Sequence, residues 1–137
     1  MERSEEARRW MAQAKRDLKA ARDSLEDGNH EWACFQAQQA AEKALKALLL
    51  GLGRSAWGHS LVELLGELSG IYGEAASLLA DARELDRHFI PARCPSAFKS
   101  GYPGMYYDGE TAKRAIERAE AILRWARERL GELGVST

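Results

Sequence analysis

The stretch that most constrains the fold is residues 32–50, WACFQAQQAAEKALKALLL. It contains no Gly, Pro or β-branched residue, and its small and straight-chain side chains lose little rotamer freedom in a helix. Small and apolar residues recur there at three- and four-residue steps, along one stripe of a helix: Cys34, Ala37, Ala41, Ala44, Leu45 and Leu48. Because alanine lets a neighbouring backbone come close, the stretch predicts a helix at the centre of a bundle.

The same stretch carries a second, polar stripe. Its members are Gln36, Gln39, Lys43 and Lys46. Two usable faces on one central helix indicate that one face builds the fold and the other contacts a partner or ligand. Gln39 and Lys43 are therefore candidate binding residues.

Amphipathic helical patterns also cover residues 4–27, 60–68, 74–88 and 108–130, and no strand pattern occurs. Gly28 predicts a helix end and Asn29 a cap for the central helix. Ser60 and Glu63 have the spacing of a capping box, and Asp108 is placed to cap the last helix. The sequence predicts an all-α, four- to five-helix up-and-down bundle in a single domain of residues 1–137.

Charge and composition exclude several classes of protein. The net charge is −1, so any contact with nucleic acid must be a local patch. No apolar run approaches about 18 residues and the first residues lack a signal-peptide core, so we expect a cytoplasmic protein with no membrane contact. The two cysteines and three histidines have no metal-ligand spacing, and no motif indicates a cofactor.

A long loop rich in aromatic residues and proline separates the last two predicted helices. Residues 89–107, FIPARCPSAFKSGYPGMYY, hold five of the seven Phe and Tyr residues and all three prolines. Loops of this length inside compact domains are commonly functional. No acidic residue occurs from position 87 to 107, so aromatic faces and cations can bind bases and phosphates there. The candidate RNA- or nucleotide-binding residues are Arg87, Arg93, Lys99, Tyr102, Tyr106 and Tyr107. The alternative is that the aromatics only cap one end of the bundle.

Four segments resemble the HEPN domains of prokaryotes, above all the small stand-alone proteins often encoded beside a minimal nucleotidyltransferase. They are KRDLKAA at 15–21, QQAAEKALKALL at 38–49, GHSL at 58–61 and RCP at 93–95. The segment at 38–49 is the most specific, and Cys94 replaces the family's aromatic residue. The resemblance implies a helical bundle that forms a homodimer. It also implies one of two roles: a metal-independent ribonuclease neutralised by its nucleotidyltransferase partner, or a nucleotide-binding or interaction module.

Ribonucleolytic members of that family use an Arg, four to six residues and then a His. Such a pair supplies a cation for the scissile phosphate and a group that transfers protons near neutral pH. The chain has two matches, Arg83 with His88 and Arg54 with His59. We take Arg83 and His88 as the candidate catalytic pair, because they adjoin the aromatic loop. Ile90 stands where the family often has a tyrosine that the partner can modify.

Two functional hypotheses follow. In the first, the chain is the HEPN partner of a minimal nucleotidyltransferase in a toxin–antitoxin-like pair and binds or cleaves RNA without a metal. In the second, it is a non-catalytic nucleotide-binding or protein-interaction module that uses Gln39, Lys43 and the aromatic loop. Whether the protein is an enzyme stays open at this point.

Overall fold

The computed structural model describes residues 2–137, and this part of the chain is helical without strands. The long helices are α1 (Glu2–Glu26), α2 (His30–Gly51) and α6 (Gly109–Glu132). The shorter ones are α3 (Leu61–Ser69), α4 (Leu79–Asp86) and the single turn α5 (Pro103–Tyr106). Short 3₁₀ turns cover Gly73–Leu78 and Pro95–Ala97. The predicted all-α bundle is confirmed.

Helix α2 lies at the centre of the bundle, between α1 and α6. All six residues of its small and apolar stripe are fully buried. At its C-terminal end, a Cβ on Gly51 would lie 2.7 Å from Leu130 of α6, so α2 and α6 approach too closely there for a side chain. At the other end, Gly109 of α6 lies beside His30 of α2. Helices α2 and α6 therefore run parallel, and α1 runs antiparallel to both.

Several predicted helix ends are observed, and two differ. Gly28 has a φ of +81° and ends α1, while Asp108 caps α6 by accepting a hydrogen bond from the Thr111 backbone N–H at 2.8 Å. Asn29 precedes α2 but its side chain makes no cap hydrogen bond. The predicted helix over 74–88 is split, with a 3₁₀ turn before α4 and its last helical residue at Asp86.

The start of α3 is held by a residue from the end of α4. Ser60 accepts the predicted hydrogen bond from the backbone N–H of Glu63, at 3.2 Å. Asp86 accepts from the backbone N–H groups of Leu61 and Val62 at 2.8 and 3.1 Å. The Ser60 hydroxyl also donates to Asp86, at 3.2 Å. Because a carboxylate satisfies free donors at a helix N-terminus, Asp86 fixes the segment before α3 against the segment after α4.

The polar stripe of α2 is largely used within the fold. Lys43 pairs with Asp17 of α1 at 2.6 Å, and Lys46 is buried against Glu42 at 3.1 Å. Cys34 is fully buried, and its burial raises the pKa of its thiol to about 12. Within residues 2–137, no helix is long and apolar enough to cross a bilayer.

Candidate functional site

The aromatic loop before α6 is a folded segment with its own internal contacts. Phe98 and Tyr106 stack at 4.5 Å between ring centroids, with their planes 5° apart. The Tyr106 hydroxyl donates to the backbone carbonyl of Ser100 at 2.9 Å. Tyr102 projects from the loop and is 59% exposed. Tyr106 therefore helps to hold the loop, whereas Tyr102 offers a free ring face to solvent.

The two residues of the candidate catalytic pair have different surroundings: His88 is buried and Arg83 is exposed. His88 is only 7% exposed, and its Nδ1 lies 2.9 Å from the hydroxyl of half-buried Tyr107. Burial raises the pKa of Tyr107 to about 12, so its hydroxyl stays protonated. Arg83 lies on the exposed face of α4, and no hydrogen bond joins it to His88 among residues 2–137. This placement gives His88 a role in attaching the end of the loop to α4.

The burial of His88 predicts a pH-dependent stability. Removal from water lowers the pKa of His88, with Arg114 and Arg87 also lowering it and Glu84 opposing them. The unfolded chain therefore binds a proton at this residue at higher pH than the folded chain does. The free energy of unfolding should therefore decrease as the pH falls below about 6.5, which is the ordinary pKa of histidine.

We expect thermal unfolding between pH 7.5 and 5.5 to show this loss directly. The melting temperature of the wild type should fall more steeply with acidification than that of His88→Gln, which keeps a polar side chain and does not titrate. Arg83→Gln, an exposed substitution on α4, is the matched control and should keep the wild-type slope. Equal slopes for the wild type and His88→Gln would contradict the assignment.

A second group of side chains lies where the end of α4 meets α2, and we call Phe35, His59, Phe89 and Arg93 the Phe89 cluster. The Arg93 guanidinium lies over the rings of Phe35 and Phe89, at 4.4 and 4.6 Å from their centroids. Its Nε donates to the backbone carbonyl of Phe89 at 2.8 Å. No carboxylate pairs with Arg93 within residues 2–137. The cluster therefore holds a cation in a fixed position, and its terminal nitrogens make no hydrogen bond to any of residues 2–137.

The His59 ring stacks on the same Phe89 ring, and its Nδ1 contacts the carboxylate of Glu42. The two rings stack at 4.8 Å with their planes 19° apart. Nδ1 of His59 lies 3.3 Å from Oε2 of buried Glu42, and the backbone carbonyl of His59 accepts from the Gln38 side chain at 3.0 Å. The His59 side chain is nevertheless 64% exposed. The Phe89 ring thus contacts both an oriented, accessible imidazole and the Arg93 cation.

The remaining sequence-predicted binding residues are spread around this region. Arg87 and Lys99 are exposed, and Lys43 is engaged by Asp17. Gln39 donates to the Gln38 side chain at 2.8 Å and so borders the Glu42 contacts. No group of three His, Cys, Asp or Glu side chains that could hold a metal ion occurs among residues 2–137.

Comparison with known proteins identifies the family. A profile of the HEPN domain matches residues 7–130. The chain belongs to the HEPN family. The structure is similar to that of a Thermus thermophilus protein, TT1696, with 41% identity and a TM-score of 0.87 over 90% of this chain and 97% of that one. It is also similar to an archaeal HEPN homologue, with 37% identity and a TM-score of 0.77 over 90% and 97% of the two chains.

A third similar structure is a HEPN domain protein of Thermotoga maritima, with 40% identity, a TM-score of 0.73, and coverage of 90% of this chain and 98% of that one. A search of curated proteins gives no match. Because the chain spans nearly the full length of these HEPN relatives, the resemblance in sequence extends to the whole fold. The family assignment made from residues 38–49 is therefore confirmed.

Sequence reasoning missed the parts of this HEPN domain that depend on long-range contacts. Glu42 and Phe35 were read only as members of the central helix. His59 was noted as the histidine of the second motif match, with Arg54, but it was not chosen as a site residue. A signal existed in the spacing of Gln38 and Glu42, one turn apart on α2, which placed both polar groups on one helix face. Nothing local indicated that His59 and Phe89 would be stacked.

Proposed function

We propose that this HEPN domain binds single-stranded RNA through the Phe89 cluster and does not cleave it with Arg83 and His88. The observation that carries the proposal is the Arg93 guanidinium, fixed over two rings and without a carboxylate partner within residues 2–137. A preoriented guanidinium binds phosphate through paired N–H donors and loses little side-chain entropy on binding.

Exposed aromatic rings near the cluster support RNA as the ligand. Trp32 is 46% exposed and meets Phe35 edge to face at 6.2 Å. Tyr102 belongs to the loop that contacts the first turn of α2, where Gly104 lies beside Glu31. Bases of single strands stack on such rings, each stack contributing about 1–3 kcal/mol. Arg83, Arg87 and Lys99 are exposed and add positive charge to the segment from α4 to the aromatic loop.

The position of His88 argues against cleavage by the predicted catalytic pair. A general acid or base must come within hydrogen-bond distance of the proton that it transfers. His88 is buried, its Nδ1 is engaged by Tyr107, and its Nε2 is enclosed by protein. RNA bound at the surface does not reach either nitrogen in this conformation.

Salt dependence of binding tests the proposal. We expect a fluorescein-labelled single-stranded RNA of about 12 nucleotides to bind with an affinity that falls between 50 and 200 mM salt. With three or four phosphate contacts, log Kd against log salt should have a slope of about 2–3. The RNA should remain intact on a denaturing gel in EDTA. Absence of binding, or binding independent of salt, would overturn the proposal, and cleavage lost in His88→Ala would overturn its second part.

We also propose that the protein acts as a homodimer with a minimal nucleotidyltransferase partner in the cytoplasm, in a toxin–antitoxin-like pair. The support is the likeness of residues 38–49 and 93–95 to HEPN proteins of that kind. Co-expression with a nucleotidyltransferase encoded beside the gene, followed by size-exclusion chromatography with light scattering, tests both the homodimer and the complex with that partner. A monomer that elutes apart from that protein would overturn them.

A further inference from the structure

A groove of about 710 Å³ runs between α1 and α6, and no residue of the Phe89 cluster lines it. Leu18 of α1 and Leu123 of α6 form its apolar floor, and the ion pair of Arg22 with Glu120 joins the two helices at one end. From Glu120 to Gly131 the groove is about 16 Å long, at the helical rise of about 1.5 Å per residue. Its volume falls within the range of about 300–1,000 Å³ that is usual for ligand clefts.

Residues 135–137 already occupy the other end of this groove as a non-helical segment. The Val135 side chain is buried there. The main-chain oxygen of Thr137 accepts a hydrogen bond from Lys15 at 2.5 Å, and the Thr137 hydroxyl accepts from Nε of Arg127 at 3.3 Å. The groove therefore binds a short peptide segment through one apolar side chain and through cations that donate to its oxygen atoms.

The groove has an excess of positive charge, although the net charge of the chain is −1. Four cations and two carboxylates line it: Lys15, Arg22, Arg124, Arg127, Glu120 and Glu128. Arg22 is paired with Glu120, whereas the other three cations make no ion pair with an Asp or Glu side chain among residues 2–137. Arg124 and Arg127 lie one helical turn apart, so their like charges repel each other. An anionic ligand that reaches both would relieve this repulsion.

The lining favours an acidic peptide over a nucleic acid as that ligand. No aromatic side chain of residues 2–137 lines the groove, so bases would have no ring on which to stack. Glu128 lies among the cations, where it repels a phosphate backbone but can accept from the main-chain N–H of a peptide. The floor of Leu18 and Leu123 suits an apolar side chain, which a nucleic acid does not supply.

We propose that this groove binds an extended acidic segment of a partner protein. An apolar side chain of the segment lies on Leu18 and Leu123, and its carboxylates pair with Arg124 and Arg127. The segment lies beside residues 135–137, and about five extended residues span the length of the groove. This protein-binding surface goes beyond the proposed RNA binding and does not depend on it.

A designed peptide tests the proposal. The probe is a fluorescein-labelled peptide in which aspartate and glutamate alternate with leucine and valine over about eight residues, so that the apolar side chains share one face. We expect saturable binding by fluorescence anisotropy, weakened by added salt. Arg124→Gln combined with Arg127→Gln should weaken binding about tenfold, because two charge-assisted hydrogen bonds at a partly exposed site are lost. Arg8→Gln combined with Lys113→Gln removes two exposed cations outside the groove and should stay within about twofold of the wild type.

Two further measurements locate the peptide. Replacing its leucine and valine with serine should weaken binding about tenfold or more, because the apolar contacts with the floor are lost. Backbone amide chemical shifts should move at Leu18, Leu123 and Val135 and stay unchanged at Phe89 when the unlabelled peptide is added.

Several outcomes would overturn the proposal. They are no binding of the acidic peptide, an equal loss of affinity in the two double variants, and shift changes confined to residues outside the groove. A loss of affinity for the labelled RNA, but not for the peptide, in the Arg124 and Arg127 double variant would identify a nucleic-acid surface instead. Unchanged RNA binding by that variant, together with weakened peptide binding, would support a separate protein-binding groove.

Discussion

Arg93→Gln should weaken RNA binding by about 10- to 100-fold, because hydrogen bonds to charged groups contribute about 1.5–3 kcal/mol. Glutamine removes the charge and the paired donors while keeping a side chain of similar reach. It also ends the contacts of the guanidinium with the Phe35 and Phe89 rings. Fluorescence anisotropy with the labelled RNA, at one fixed salt concentration, measures the loss.

Two further variants make the Arg93 experiment specific. Arg93→Lys keeps the charge but not the planar fork, so we expect an intermediate affinity. Arg8→Gln removes an exposed cation from α1, and its affinity should stay within about twofold of the wild type, as one distant screened charge contributes little. An equal loss in Arg8→Gln and Arg93→Gln would mean that RNA responds to overall charge and not to the Phe89 cluster.

Glu42→Ala should lower the free energy of unfolding by about 3–5 kcal/mol, because it leaves the buried ammonium of Lys46 without its carboxylate. The side chains of both residues are more than nine-tenths buried, and their charged atoms lie 3.1 Å apart. The substitution also removes the acceptor of His59 Nδ1. Urea denaturation followed by circular dichroism measures the change.

A double variant separates the loss of the pair from the loss of one partner. Glu42→Leu combined with Lys46→Met replaces the ion pair with apolar side chains of similar volume, and its stability should lie near that of the wild type. Lys46→Met alone should be destabilising, since the Glu42 carboxylate then stays buried with weaker partners. A double variant as unstable as Glu42→Ala would show that the pair itself, and not the stranded charge, stabilises the bundle.

Local sequence patterns predicted the bundle because its elements are determined by local periodicity. The three- and four-residue steps of α2 and α6 place alanine and leucine on one side of each helix, and all of these residues are buried. The side-chain cap of Asp108 was predictable for the same reason, since it acts only three residues away. The split of the predicted helix over 74–88 was not predictable, because the three-residue step between buried Ala75 and Leu78 fits a 3₁₀ turn as well as an α-helix.

The candidate site was harder to predict, because its contacts join residues far apart in the chain. Asp86 caps α3 from a position 25 residues away from Leu61. His59 contacts Glu42, 17 residues earlier, and stacks on Phe89. Spacing between an arginine and a histidine drew attention to His88, which the structure places in a buried contact with Tyr107. A motif read along the chain does not report which of two histidines reaches the surface.

The different surroundings of the two cysteines make the protein suited to site-selective chemistry. Only a thiolate reacts readily with maleimides and similar reagents, and the raised pKa of enclosed Cys34 keeps that thiol protonated and shielded. Cys94 is partly accessible and immediately follows Arg93. A fluorophore or spin label therefore attaches to the natural sequence one residue from the proposed phosphate contact, without any engineered position.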